Sequence, residues 1–256
     1  MNKKESRSLT IAIMSIFFLM AGIGAITPGL QSIADAFPTV PFNTILLANT
    51  LPSLFIIPAS FLAGTVAGSR IKYRTLILGG ILLFTCGGAA PIILDNFTLI
   101  LVTRAIFGIG LGLITPLGNA LILNFFEGQA RANLLGAGNV SLNAGGIVLQ
   151  LLGGFLAAIN WRYTFLSHLF GLISLVIVYI LLKEPEKVER PAERKTPVPK
   201  AVYFYSLLLM LMFLFTFPLM LSMSSIISEE GLGDASAAAV VLSMFTVGGT
   251  VAGLVF

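Results

Sequence analysis

Arg104 is the residue whose chemistry most needs explaining. It is the one basic residue placed inside a long apolar stretch of this 256-residue chain. It stands seven residues beyond Phe97, where that stretch begins, or roughly 10 Å deep at about 1.5 Å per residue. A central arginine costs about 2.5–3.5 kcal/mol on membrane-insertion scales. Either its guanidinium has work to do in the interior, or its stem snorkels to the outer surface, towards Asp95. Asp35 and Asp95 are the only carboxylates on that outer side before residue 182. Asp35 is either an acceptor for protons arriving from outside or a hydrated helix end. Neutral polar side chains within the apolar stretches include Thr27, Asn49, Thr115, Asn119, Asn139, Asn143 and Gln150. Asn139, Asn143 and Gln150, at i, i+4 and i+11, fall on one helical face. Such a set either lines a path for a solute or bonds helix to helix, at only about 0.6 kcal/mol per bond.

Composition says what must hold these residues. The chain is 57% hydrophobic and only 10% charged, with a mean hydropathy of +0.98. A soluble domain is about a quarter charged, so the solvent of this chain is partly lipid. One histidine, His168, and one cysteine, Cys86, cannot make a structural zinc site, and both read as packed bystanders. No Gly-x-x-x-x-Gly-Lys-Ser/Thr loop is present, so the chain has no Walker-type ATP site. No cluster of His, Asp, Glu or Ser within the spans suggests an enzyme. No metal, cofactor or nucleic acid is expected; the expected partners are the lipid bilayer and a small solute.

A bilayer core takes about 20 apolar residues in a helix. Eight stretches qualify: Leu9–Ile33, Ile45–Ala67, Thr75–Ile93, Phe97–Phe126, Ala132–Ile159, Thr164–Leu182, Val202–Ile227 and Ala237–Phe256. The fold class is therefore all-α membrane protein. The first stretch is too long for a signal peptide, and Ile26-Thr27-Pro28 stands where a cleavage site needs small residues. Thirteen of the 15 Lys and Arg residues fall on the side of the N-terminus: Lys3, Lys4, Arg7, Arg70, Lys72, Arg74, Arg131, and six between Lys183 and Lys200. That side is expected to be cytoplasmic. Residues 183–200, with four prolines and mixed charge, read as a flexible cytoplasmic linker.

Gly22-Ile-Gly24-Ala-Ile26-Thr27-Pro28 in the first span echoes Gly110-Leu-Gly112-Leu-Ile114-Thr115-Pro116 in the fourth. The two spans run in opposite directions, which points to the inverted three-plus-three repeat of secondary transporters. A weaker echo joins Gly64-Thr-Val-Ala-Gly68 to Gly249-Thr-Val-Ala-Gly253.

Three motifs then resemble the major facilitator superfamily, in its bacterial drug-efflux, proton-antiporter branch. The loop after the second span reads Gly64-Thr-Val-Ala-Gly68-Ser-Arg70-Ile-Lys72-Tyr-Arg74, against the family's Gly-x-x-x-Asp-Arg-x-Gly-Arg-Lys/Arg. The first glycine and the basic character are kept; Gly68 replaces the aspartate. The fourth span keeps Arg-x-x-x-Gly-x-Gly-x-Gly as Arg104, Gly108, Gly110 and Gly112. The fifth span shows Gly145-Gly-Ile-Val-Leu149-Gln150-Leu-Leu-Gly153-Gly154, with Leu149 and Gln150 in place of the antiporter Gly-Pro.

The resemblance implies a complete six-helix N-terminal bundle (1–182), a linker (183–200) and the first two helices of a second half (201–256). The chain looks like an N-terminal fragment, expected to insert without transporting. The implied function is proton-coupled efflux of small hydrophobic or amphipathic compounds. Arg104 and Asp35 would handle protons or gating. Gly108, Gly110, Gly112, Gly145, Gly153 and Gly154 would allow close helix contact. Uptake or facilitated transport of a small polar metabolite is the alternative, and a non-transporting membrane sensor the remote one.

Overall fold

The computed structural model describes residues 3–185 and 199–255. Among the described residues, seven helices are long and apolar enough to cross a bilayer: α1 (Glu5–Ala36), α2 (Phe42–Val66), α3 (Tyr73–Ile93), α4 (Phe97–Phe125), α5 (Gly128–Ile159), α6 (Trp161–Leu181) and α7 (Ala201–Glu229). An eighth, α8 (Ala235–Val255), follows. Helices suit this sequence because each satisfies its own backbone where no water can. The expected linker lies mostly outside the described residues, at 186–198.

The helix neighbours reveal the repeat. α4 packs along α2 and α3, while α1 packs along α5 and α6. Exchanging α1 with α4, α2 with α5 and α3 with α6 turns one set into the other, and α3 against α6 maps onto itself. The exchange fails at one pair: α5 packs on α6, whereas α2 and α3 scarcely touch.

Local structure departs from the repeat as well. Residues Ala21–Gly29 of α1 tighten into 3-10 turns, with Pro28 inside. The matching residues of α4 stay α-helical through Pro116. Proline removes a backbone donor and disturbs the turn before it. α4 is clamped on both sides by close neighbours, which hold it regular. Residues 21–29 of α1 pack on α5 and α6 and also border a cavity.

Small residues let these helices approach. A methyl group at Gly108 or Gly112 would strike α2, at the carbonyls of Pro52 and Ile56. One at Gly110 would strike α3 at Phe84 and Gly80. One at Gly145 or Gly153 would strike α1, at the carbonyls of Phe18 and Ala25, and one at Gly154 would strike α8 at Ala235 and Ala239.

One core cluster joins α1, α3, α4 and α6 through residues such as Ile13, Ile16, Ile77, Phe84, Phe107, Leu111 and Val178. A second, around Ile26, Ile33, Ile45, Phe97 and Phe165, closes the opposite end. α7 is different: its most apolar window is only 6% buried. It is tied to α1 by Ser224, whose hydroxyl donates to the Pro28 carbonyl at 2.6 Å and accepts from the Gln31 amide at 3.3 Å.

Polar contacts mark the two ends of the bundle. At one end Lys183 pairs with Glu5 at 2.7 Å, and Glu184 accepts the backbone N–H groups of Tyr73 at 2.7 Å and Arg74 at 3.0 Å. At the other, Arg162 pairs with Asp95. Its Nη1 also donates to the carbonyls of Ile92 at 3.2 Å and Leu94 at 3.3 Å. Asp234 caps α8, accepting from the Ser236 amide at 2.9 Å. Its carboxyl is held below the usual value, chiefly by the Ser236 hydroxyl bond.

Candidate functional site

Tightening of α1 at residues 21–29 gives it two unlike faces. On one face a cavity of about 550 Å³ opens, lined by Ala21, Ile23, Gly24 and Thr27 of α1 and by Asn49 of α2. Leu142, Asn143, Gly146 and Gln150 of α5 form the adjoining wall. Phe213, Phe217, Met220 and Leu221 of α7 and Phe245 and Thr246 of α8 face them. The three amides, Asn49, Asn143 and Gln150, thus stand on one wall, and the facing wall is mostly aromatic and apolar. Asn49 and Gln150 are buried, and the carbonyl oxygen of each amide has no hydrogen-bond partner. Leu149, beside Gln150, is buried near Gly22. The Leu-Gln departure from Gly-Pro therefore supplies one packing and one cavity residue, and leaves α5 an unbroken helix.

The other face of α1 meets an aromatic cluster around Arg104. Gly22 backs onto the Phe84 ring. Arg104 is completely buried, so the snorkelling alternative is not what the fold holds; Asp95 pairs with Arg162 instead. The guanidinium lies 4.0 Å from the centroid of Phe107 and 5.9 Å from that of Phe165. Its Nη1 donates to the Gly88 carbonyl at 3.5 Å, while Nε and Nη2 have no partner. His168 is buried beside it, edge-on to Phe107 at 5.0 Å between centroids, with Nδ1 3.2 Å from the Phe165 carbonyl. Cys86 is exposed on α3, contrary to the packed position expected, because it lies on the side of α3 turned from its helical neighbours.

The remaining sequence candidates are spread out. Thr27, Asn49, Asn143 and Gln150 meet in the cavity; Thr115, Asn119 and Asn139 are not among its lining residues. Thr115 bonds to the Leu111 carbonyl of its own helix at 2.7 Å, and Asn119 and Asn139 are exposed. Asp35 is exposed at the end of α1 and accepts from Gln31 at 2.9 Å. Gly64 near the end of α2 and Arg70 and Lys72 in the loop after it are exposed, and Arg74, at the start of α3, donates to the Tyr179 carbonyl. Gly68 has φ +71°, with the Tyr73 ring against the position of a β-carbon. That backbone suits glycine, which accounts for its standing where the family has aspartate.

Sequence reasoning missed Glu184. It caps the start of α3, where Lys72 supplies no side-chain cap. A carboxylate just after a span, on the same side as a helix start rich in unpaired N–H groups, was the available signal.

Eight apolar helices, an inverted repeat of three, and a cavity where α7 and α8 meet the first six define a multi-pass membrane protein with the fold of secondary transporters. The sequence profile of the Major Facilitator Superfamily matches residues 11–256. The chain belongs to that superfamily. It is 25% identical over 184 residues to the quinolone resistance protein NorA of Staphylococcus aureus, covering 71% of this chain and 47% of that one. It is 24% identical over 183 residues to the multidrug transporter protein MdtP of Bacillus subtilis, covering 69% and 33%. The chain thus spans less than half the length of these curated relatives. Among solved structures, a bacterial homolog of the human lysosomal transporter Spinster, inward-facing and unoccupied, aligns with a TM-score of 0.75 at 20% identity. That alignment covers 96% of this chain and 60% of the other. A D-xylose-proton symporter aligns with a TM-score of 0.69 at 17% identity, covering 94% and 65%. Such low identities speak for the fold alone.

Proposed function

We propose that this chain builds the solute path of a proton-coupled exporter of small hydrophobic or amphipathic compounds in the cell membrane. In this reading residues 1–182 move as one unit, linked through 183–200 to a second unit beginning at 201. The N-terminus and the linker lie in the cytoplasm. The observation that carries the reading is the cavity between those two groups of helices, with its polar and aromatic walls. Likeness to NorA and MdtP, named for quinolone resistance and multidrug transport, supports the efflux direction. Arg104 is the coupling or gating group, since a fully buried guanidinium with unpartnered donors is costly unless it serves the cycle. Asp35 is its outward proton acceptor. The amide-bearing wall favours, as a second reading, uptake of a small polar metabolite.

The test is uptake of an apolar fluorescent dye by everted membrane vesicles containing the full-length protein. Energised vesicles should accumulate dye, and an ionophore that collapses the proton gradient should abolish accumulation. Gly146→Phe should block it, because the space beside Gly146 belongs to the cavity. Accumulation indifferent to both the ionophore and the cavity block would overturn the reading.

A further inference from the structure

The cavity's lining narrows the chemistry of what it takes, provided the cavity is the solute path. None of its lining residues is charged. An ion entering it would leave water without meeting a counter-charge, which disfavours binding strongly. Asn49 and Gln150, from α2 and α5, are only 3% and 7% exposed. The carbonyl oxygen of each is shut away without a partner, beyond a guest's reach, so the NH₂ group is what each amide can offer the cavity. Gly24 leaves room for Gln150, whose Nε2 lies 3.1 Å from where a β-carbon of Gly24 would stand. A wall of this kind is matched by a guest that brings an acceptor. The facing Phe213, Phe217 and Phe245 suit a flat apolar body.

We propose that the cavity selects an uncharged aromatic compound with one polar edge that accepts hydrogen bonds, as the carbonyl of a carboxamide does. The edge pairs with Asn49 and Gln150, and the ring lies against Phe213 and Phe217. Asn49 and Gln150 are then the specificity-determining residues, and fixed charge of either sign is rejected.

Four probes sharing a naphthalene body test this: 2-naphthamide, 2-ethylnaphthalene, 2-naphthoate and a 2-naphthyl trimethylammonium. Binding is measured by equilibrium dialysis against lipid nanodiscs with and without the protein, so that partition into lipid is subtracted. The carboxamide should bind roughly tenfold or more tightly than the other three, as expected when unpaired polar groups gain partners. Asn49→Leu combined with Gln150→Leu should remove that preference while 2-ethylnaphthalene still binds. Gln150→Glu, which keeps the shape and adds a charge, should turn the preference towards the ammonium. Equal binding of carboxamide and charged probes, or a carboxamide preference that survives in the double variant, overturns the proposal and leaves the solute path standing. Binding of none of the four, with dye transport insensitive to Gly146→Phe, overturns the solute path and the proposal with it.

Discussion

Arg104 shows how a residue's type and its surroundings divide the work. Its charge makes burial costly, and its plane makes burial possible. A flat guanidinium can lie on the Phe107 ring at 4.0 Å and reach the Gly88 carbonyl from there. A lysine ammonium keeps the charge but lacks the delocalised plane and the five-donor fork. Arg104→Lys is therefore expected to reach the membrane at normal levels and to lower dye transport about tenfold, near 1.4 kcal/mol in barrier. Membrane fractionation alongside the vesicle assay checks both halves. Unchanged transport would mean that the residue only fills space among its aromatic neighbours.

At the scale of elements, α1 is the connection between the two candidate sites. Its 3-10 segment presents Gly22 to the aromatic cluster and Gly24 to the cavity. A rearrangement around Arg104 can reach the cavity wall through these few residues. α5 holds the segment in place through Gly145 and Gly153, which sit against the carbonyls of Phe18 and Ala25. Gly153→Leu should push α5 off α1 and destabilise the protein by about 1–3 kcal/mol, the usual range for overpacking. Gly79→Ala is the contrasting case, because nothing lies within 4 Å of a β-carbon there. Alanine also favours the helix by nearly 1 kcal/mol over glycine. Thermal melts of both variants in detergent should therefore move in opposite directions. Equal destabilisation would show that the α1–α5 contact carries no special weight.

For the whole molecule the question is which end faces the cytoplasm. Lys183–Glu5 and Glu184 with Tyr73 and Arg74 gather three basic segments at one end. Arg162–Asp95 closes the other. The topology proposed above, from the charge count, has the basic end inside. After Cys86, the only cysteine, is replaced, a cysteine introduced at Pro191 should resist an impermeant thiol reagent in whole cells and react once the membrane is opened. A cysteine at Asp95 should react in both. Labelling of the Pro191 position in intact cells would invert the topology.

The spans were legible in the sequence because each is set by local composition: a bilayer demands about 20 apolar residues, and no distant contact changes that count. The repeat was legible for a similar reason, since Gly22–Pro28 and Gly110–Pro116 keep their likeness along the chain. What the tertiary structure decided is which side of each helix meets which neighbour. Asn143 and Gln150 line the cavity while Asn139, on the same helical face by spacing, does not, because a face runs the full length of a helix and a cavity only part of it. The same echo became 3-10 in α1 and α-helix in α4, according to the neighbours on either side. Arg104 beside His168, and Glu184 beneath α3, join residues far apart in sequence. No periodicity encodes such meetings; they exist only once six helices have packed.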